Sequence, residues 1–242
     1  MHRFTPPPGY ERIKVVHSFA ELAATPFQDG VNAICWLRDL PGDFDEVVAA
    51  LQAQQASEGS YSFDSIEAEQ LQSLHLSEQG RIASVILQQD LALLRQHGME
   101  PSLDCIHAYA RDDASAIIAT DVYSFHVDSA PVAAETWLCA YTQAASEGLR
   151  NDQAQKKIDL PATRAALLQE YGGKEGPGFL AFLHENCYDL HYAPAPDAQP
   201  FSFGLGNLWR IAIEYPACPV PPCIHRAPET MPDQPARLLL IS

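Results

Sequence analysis

The segment A-I-I-A-T-D-V-Y-S-F-H-V-D, residues 116–128, is rich in β-branched and aromatic side chains. Such residues favour a half-buried extended chain, so we expect a β-strand that ends at Asp128. Side chains two apart on a strand project from the same face, and Val127 between them points the other way. The stretch therefore predicts that the imidazole of His126 and the carboxylate of Asp128 lie side by side.

A third ligand from elsewhere in the chain would complete a metal site. His225, in P-P-C-I-H-R-A-P at residues 221–228, is the best candidate because it lies in the next-to-last strand-like segment. Two imidazoles and one carboxylate form the ligand set that holds Fe(II) while leaving coordination positions open. We therefore expect His126, Asp128 and His225 to converge on one metal ion. The other interpretation is that these are ordinary polar residues at strand ends.

Arg237 lies twelve residues after His225 and opens the terminal segment R-L-L-L-I-S, residues 237–242. A guanidinium group can hold a carboxylate through two parallel hydrogen bonds, so an inward-facing Arg237 predicts an anion-binding site. Arg210 is the rival for this role. Arg226 is less suitable, because neighbours on a strand alternate and it should point away from the metal if His225 points towards it.

The spacing of apolar residues changes near Pro101. Residues 1–100 show mostly helical spacing and predict a helical support region, with helices after Asp43 and Ser77 and a shorter one over 66–74. The segment 31–37 fits either a buried strand or an apolar turn of helix. Residues 101–242 carry short strand patterns and irregular loops, with helices near 161–171 and 177–185. This favours a mainly β sandwich or barrel with α-helices, in one structural domain overall.

Composition and charge exclude several classes of partner. The 242 residues include 15 basic and 31 acidic side chains, and the net charge of −16 repels the phosphates of nucleic acid. No apolar run approaches the roughly 20 residues that span a bilayer, and residues 1–10 lack the pattern of a secretory signal. Six scattered cysteines without a C-x-x-C pair predict free thiols. We therefore expect a cytoplasmic protein that binds neither nucleic acid nor membrane.

The order H-x-D, a long gap, a second histidine and then a basic residue resembles the Fe(II)/2-oxoglutarate-dependent oxygenases. E-T-W-L-C-A-Y-T-Q-A-A-S-E-G-L, residues 135–149, resembles a strand and acidic-Gly turn of their prolyl-hydroxylase branch. V-N-A-I-C-W-L-R-D-L-P, F-H-V-D, H-R-A-P and R-L-L-L-I-S together look most like an uncharacterised bacterial family of unknown function, whose hallmarks are H-V-D and H-R-S-P. This likeness covers most of the chain, from about Val31 to the end.

The resemblance implies a double-stranded β-helix, or jelly roll, over residues 101–242 and helical support from 1–100. It implies Fe(II) and 2-oxoglutarate as cofactors, with Arg237 on the distal carboxylate, and oxidation of an unidentified small-molecule or peptide substrate. Candidates to line the pocket are Trp137, Tyr141, Tyr123 and Trp209. Two features depart from the family: no clean R-x-S follows Arg237, and the gap before the second histidine is long.

Two other functions fit the same residues. A jelly-roll protein that binds a metal or ligand without turnover would need the triad, but it has no reason to keep a carboxylate clamp at Arg237. A cupin-type isomerase or lyase would use more histidines, often as H-x-H, and the chain contains no H-x-H. Binding of 2-oxoglutarate distinguishes the oxygenase from the binding protein.

Overall fold

A computed structural model describes residues 4–58, 65–112, 116–230 and 234–242. The α-helices in this part of the chain are α1 (Phe19–Ala24), α2 (Phe44–Glu58), α3 (Ala68–Ser73), α4 (Glu78–Gln96), α5 (Pro161–Tyr171) and α6 (Pro177–Glu185). The strands are β1 (Ile13–Val16), β2 (Ala33–Trp36), β3 (Ser102–Ile106), β4 (Glu135–Ala140), β5 (Glu147–Leu149), β6 (Ala154–Lys156), β7 (Tyr192–Pro194), β8 (Phe201–Ser202), β9 (Leu208–Ala212), β10 (Ile224–Arg226) and β11 (Arg237–Ile241). Among the described helices, none combines the length and apolar character required to cross a membrane.

The predicted helices are confirmed, and local side-chain chemistry explains where they begin. Asp43 accepts a hydrogen bond from the Glu46 amide over 2.9 Å at the start of α2, and the Ser77 hydroxyl accepts one from the Gly80 amide at the start of α4. These bonds satisfy amides that have no partner within the helix. The segment 66–74 contains α3, and the two later predictions match α5 and α6.

Most of the strands form one large sheet and one small sheet. The large sheet has six strands in the order β1-β2-β9-β4-β11-β3, and only the pairing of β1 with β2 is parallel. The small sheet has three strands in the order β10-β5-β8, and β6 pairs with β7 separately. The segment 31–37, which the sequence left open, therefore contains a strand, β2, within the large sheet. The N-terminal region thus supplies two strands as well as helices.

The two faces of the large sheet bury different sets of apolar side chains. One face packs against α2, α3 and α4, with Val47, Leu87 and Leu240 in a common cluster. The other face contributes Trp209 and Leu239 to a second cluster, which also contains Phe203 after β8 and Cys223 before β10. The space between the large and small sheets is therefore a second core, separate from the helical one.

The strand predicted over residues 116–128 is wrong. This segment contains turns and bends, and its β-pairing is limited to isolated bridges from His126 to His191 and to His225. Ser129 forms a further bridge with Glu214. Two hydrogen bonds between His126 and His225, each of 2.9 Å, attach the segment to β10. Tertiary pairing at a few points replaces the continuous ladder that the β-branched residues suggested.

The fold is mixed α and β with mostly antiparallel sheets, and the described strands form no closed barrel. This agrees with the expected mixture of strands and helices, whereas a jelly roll is not confirmed. The segment 201–215 contains two separate strands, β8 and β9. Gly204 and Gly206 have φ angles of +74° and +77° between β8 and β9, a region that glycine enters without strain.

Candidate metal centre

The side chains of His126, Asp128 and His225 meet at one place, as the sequence predicts. One ligand atom from each lies within 4.8 Å of the others, and this group could hold a metal ion. His126 Nε2 is 3.8 Å from Asp128 Oδ1, and His225 Nε2 is 3.7 Å from Asp128 Oδ2. Two atoms bound to one ion at about 2.1 Å can be at most about 4.2 Å apart, so both distances suit a shared ion.

Backbone contacts orient both imidazoles towards this point. His126 Nδ1 lies 2.7 Å from the carbonyl oxygen of Ser124, and His225 Nδ1 lies 3.3 Å from that of Cys223. A carbonyl can only accept, so each Nδ1 carries a proton, and in a neutral ring Nε2 is then the nitrogen with the free lone pair. This arrangement is typical of histidine ligands, whose second nitrogen is held by a hydrogen-bond acceptor.

The charge state of the group suits a cation. Burial, followed by the neighbouring His225, lowers the pKa of His126 to about 4, so its ring is neutral at pH 7. Burial raises the pKa of Asp128, but His225, the Thr136 hydroxyl and His126 outweigh that effect and hold the pKa below its usual value. Neutral imidazole and ionised carboxylate are the forms that bind metals.

Alternation along the chain explains how an irregular segment can present these ligands. Phe125 and Val127 pack with Leu149 and Ile224 in an apolar cluster. His126, which lies between Phe125 and Val127, points towards the opposite side, where its ring centroid is 4.7 Å from that of His225. The apolar anchors thus orient the ligands without a continuous strand.

No protein-family model, curated protein or solved structure matches this chain. The resemblance to the Fe(II)/2-oxoglutarate oxygenases therefore remains a hypothesis, supported by the residues themselves.

Arg237 is buried, with an exposed fraction of 2%. Its Nε donates to the carbonyl of Ala144 over 2.9 Å, one terminal nitrogen donates to the Ser146 hydroxyl over 2.8 Å, and the other lies 3.5 Å from the Tyr109 hydroxyl. All three acceptors are neutral. Burial lowers the pKa of Arg237, and within the described residues no carboxylate forms an ion pair with it.

The other two arginines have different surroundings. Arg210 is paired with Glu135 over 2.6 Å, and one of its terminal nitrogens, which carries two hydrogens, lies 2.8–3.1 Å from three carbonyl oxygens at the end of α1. It therefore lies on the helical side of the large sheet with its charge neutralised. Arg226 pairs with Glu147 across the small sheet, also over 2.6 Å. Neither has the buried and unpaired guanidinium that Arg237 has.

Three of the four aromatic residues expected in the pocket are divided between the two cores. Trp137 and Tyr141 pack in the helical core, where the Tyr141 hydroxyl donates to Asp90 over 2.6 Å. Trp209 lies in the core between the two sheets. Tyr123 lies beside Tyr109, the residue that contacts Arg237. The prediction is therefore wrong for Trp137 and Tyr141, because they occupy the outer face of their strand.

Sequence reasoning missed three residues near the metal centre. His191 is bridged to His126, and their ring centroids are 5.7 Å apart. Lys157 donates to the Ser124 hydroxyl over 2.7 Å, and burial lowers its pKa. Tyr109 reaches Arg237. None of the three lies within a sequence motif. The sequence offered a signal only for Tyr109, because the side chains of residues 103–109 alternate in the way that predicts a strand with Tyr109 on one face.

Proposed function

We propose that this protein is an Fe(II)/2-oxoglutarate-dependent oxygenase that oxidises a small molecule or a peptide. The observation that carries the proposal is the combination of a convergent His126–Asp128–His225 group with a buried Arg237 that lacks a carboxylate partner among the described residues. A buried guanidinium is costly unless an anion compensates it, so an external carboxylate is the natural partner.

The order of the strands supports a jelly roll as the underlying architecture. From β3 onward, β6 and β7 pair with each other in a separate two-stranded sheet, and the remaining segments follow in the order β3, the His126 bridge, β4, β5, β8, β9, β10 and β11. Of these, β3, β4, β9 and β11 belong to the large sheet, and the others pair within or next to the small sheet. Such crossing between two facing sheets is characteristic of an eight-stranded jelly roll. We interpret β1 and β2 as additions to one edge.

The residues present fit an Fe(II) ion. His126 Nε2, His225 Nε2 and an oxygen of Asp128 would hold it, because both Nδ1 atoms are engaged by carbonyls and the Thr136 hydroxyl donates to Asp128 Oδ2 over 2.6 Å. When bound, Fe(II) with 2-oxoglutarate supplies the activation of O₂ needed to oxidise a substrate. The side chain of Asp128 is 31% exposed, against 14% for His126 and 10% for His225, so we place the approach of ligands on its side.

The distal carboxylate of 2-oxoglutarate has a suitable partner in Arg237. The strand register places Arg237 and Leu239 on the same face of β11, and Leu239 lies in the core between the sheets. Ser146, which binds the guanidinium, is two residues before Gly148, the partner of His225 in the small sheet. Arg237, Ser146 and the Tyr109 hydroxyl would together bind the carboxylate and exclude water from it.

The decisive experiment is anaerobic titration of the Fe(II)-loaded protein with 2-oxoglutarate. We expect a visible charge-transfer band, and on exposure to O₂ the release of succinate. His225→Ala should abolish both signals because it removes a ligand. Absence of the band in wild-type protein that has bound Fe(II) would overturn the proposal.

The second candidate is a protein that binds a metal without turnover. The observation in its favour is that three N–H groups of Arg237 already have neutral acceptors within the chain. Under this alternative, the triad binds Fe(II) or another divalent ion, but calorimetry detects no binding of 2-oxoglutarate.

A further inference from the structure

A row of polar side chains extends from the candidate metal centre, on the side of His126 that is opposite to β10. His126 lies between His225 and His191, and both pairings are antiparallel bridges. Directly paired residues project to the same face of a sheet, so the three imidazoles form a row. Lys157 follows next, because its amide donates to the His191 carbonyl over 2.8 Å and its ammonium group donates to Ser124 Oγ.

The outer end of this row has more hydrogen-bond donors than acceptors. The Lys157 ammonium group has three N–H donors, and the Ser124 hydroxyl is its hydrogen-bond acceptor within the described residues. Within the described residues, the Lys157 ammonium group forms no ion pair. His191 is 4% exposed, and its Nδ1 is buried without a hydrogen-bond partner among the described residues. Buried polar groups usually have partners, so in the tautomer that carries its proton on Nδ1, His191 is a further donor without an acceptor at this end of the row.

The two nearest acids are already engaged. Asp121 accepts hydrogen bonds from the amides of Tyr123 and Asp112, over 3.1 and 3.2 Å. Asp112 accepts from the amide and hydroxyl of Thr120. Their oxygens therefore link Asp112 to residues 120–123, and within the described residues neither acid forms an ion pair with Lys157.

His191 is unsuited to be a fourth metal ligand. The group whose ligand atoms all lie within 4.8 Å of one another consists of His126, Asp128 and His225. His191 therefore lies beside the candidate ligand group without belonging to it, with its ring centroid 5.7 Å from that of His126.

We propose that Lys157 and His191 form a subsite for an oxyanion of the substrate, a carboxylate or a phosphate group, beside the metal centre. The assignment to the substrate rests on the proposed oxygenase function. The subsite itself rests only on the excess of donors. The proposed subsite and His225 lie on opposite sides of His126. Arg237 binds Ser146 next to β5, and β5 pairs with His225 on the side away from His126. The two anion sites are therefore distinct.

The test is titration of the full-length, metal-free protein with inorganic phosphate and, separately, with acetate at low ionic strength, because salt screens such contacts. Nuclear magnetic resonance follows the ring signals of His191, assigned with His191→Gln. We expect these signals to shift, and Lys157→Met to weaken binding at least about tenfold, as for the loss of a charge-assisted hydrogen bond. A response to phosphate alone indicates a phosphorylated substrate, and a response to acetate alone indicates a carboxylate; both support the subsite.

Lys156→Met is the matched control. Lys156 is the adjacent lysine, but its ammonium group lies 3.6 Å from Glu214 and faces the ring of Tyr192. It should change the affinity less than twofold. Equal weakening of anion binding by both lysine variants would mean a general charge effect. Loss of anion binding only in Arg237→Met would place the anion at Arg237. Either result overturns the proposal.

A second variant covers a failure of Lys157→Met to fold. Lys157→Arg keeps the charge and should retain affinity within a few-fold, with the same shift of the His191 ring signals. Unchanged ring signals in the wild type at saturating phosphate and acetate would also overturn the proposal. Because neither Fe(II) nor 2-oxoglutarate is present, these outcomes are independent of whether the oxygenase assignment holds.

Discussion

Thr136 stands behind the carboxylate of the metal centre, at the start of β4. Its hydroxyl donates to Asp128 Oδ2 over 2.6 Å and so selects the orientation of that side chain. Groups in this supporting position typically change metal affinity by about 10–100-fold when removed. We expect Thr136→Val to weaken binding of Zn(II) or Fe(II) by about tenfold in competition with a chelating dye. Thr163→Val, on α5 and outside the His126–Asp128–His225 group, is the control, and equal affinities for Thr136→Val and wild type would contradict the role.

Binding of 2-oxoglutarate at Arg237 distinguishes the oxygenase hypothesis from the hypothesis of a metal-binding protein without turnover. If its guanidinium binds the distal carboxylate of 2-oxoglutarate, Arg237→Ala should abolish 2-oxoglutarate binding in calorimetry and leave metal binding at the triad nearly intact. Arg226→Met is the matched control, because Arg226 is paired with Glu147 and should not affect 2-oxoglutarate. Unchanged affinity in Arg237→Ala would leave the anion site unassigned, since Arg210 is already neutralised by Glu135.

At the scale of the element, the small sheet depends on a close approach at Gly148 in β5. Gly148 pairs with His225, and a Cβ atom there would lie 2.7 Å from a ring carbon of Phe203 and also collide with Phe201. Phe203 is 1% exposed, stacks on Trp209 at 4.3 Å and lies 6.5 Å from the His225 ring. A displaced Phe203 would therefore transmit the clash to His225, one of the three candidate metal ligands.

We expect Gly148→Ala to lower the free energy of unfolding by about 1–3 kcal/mol, as for an overpacked core, and to weaken metal binding as well. Urea unfolding and chelator competition measure the two effects. Gly178→Ala in α6 is the control, because its new methyl group would meet the outer end of one side chain, the hydroxyl and Cζ of Tyr171, which can move aside. A Gly148→Ala protein with wild-type stability and metal affinity would show that the sheets adjust freely.

At the scale of the whole molecule, a buried ion pair joins the helical layer to the large sheet. Arg38, just after β2, lies 2.7 Å from Asp90 on α4, and their side chains are 6% and 4% exposed. Tyr141, just after β4, donates to the other oxygen of Asp90. The three residues thus fix α4 against two strands at once.

Removing one partner of a buried pair leaves an uncompensated charge. We expect Asp90→Ala to cost about 3–5 kcal/mol in urea unfolding, whereas Glu175→Gln, which breaks the exposed pair with Arg164, should cost about 0–1 kcal/mol. If Asp90→Ala and Glu175→Gln lowered the free energy of unfolding by the same amount, the Arg38–Asp90 pair would not be what stabilises the packing of the helical layer on the sheet.

The sequence by itself determined the elements whose signals are local. The starts of α2 and α4, the positions of α5 and α6, and strands such as β11 follow from caps and apolar spacing within a dozen residues, because helices and strand faces are short-range patterns. It also predicted that His126, Asp128 and His225 converge, since few residue types bind metals and their order along the chain was informative.

Only the tertiary structure decided how these pieces face one another. The segment 116–128 has strand-forming residues but little pairing, because its partners, His191 and His225, are 65 and 99 residues away from His126 and bridge it at single points. Arg210 pairs with Glu135 and Tyr141 with Asp90 for the same reason: a partner brought in from another element determines which face of a strand a side chain occupies. The sequence around His191 and Lys157 does not indicate their position beside the candidate metal centre, because the residues that they contact, His126 and Ser124, come close only after the chain has folded.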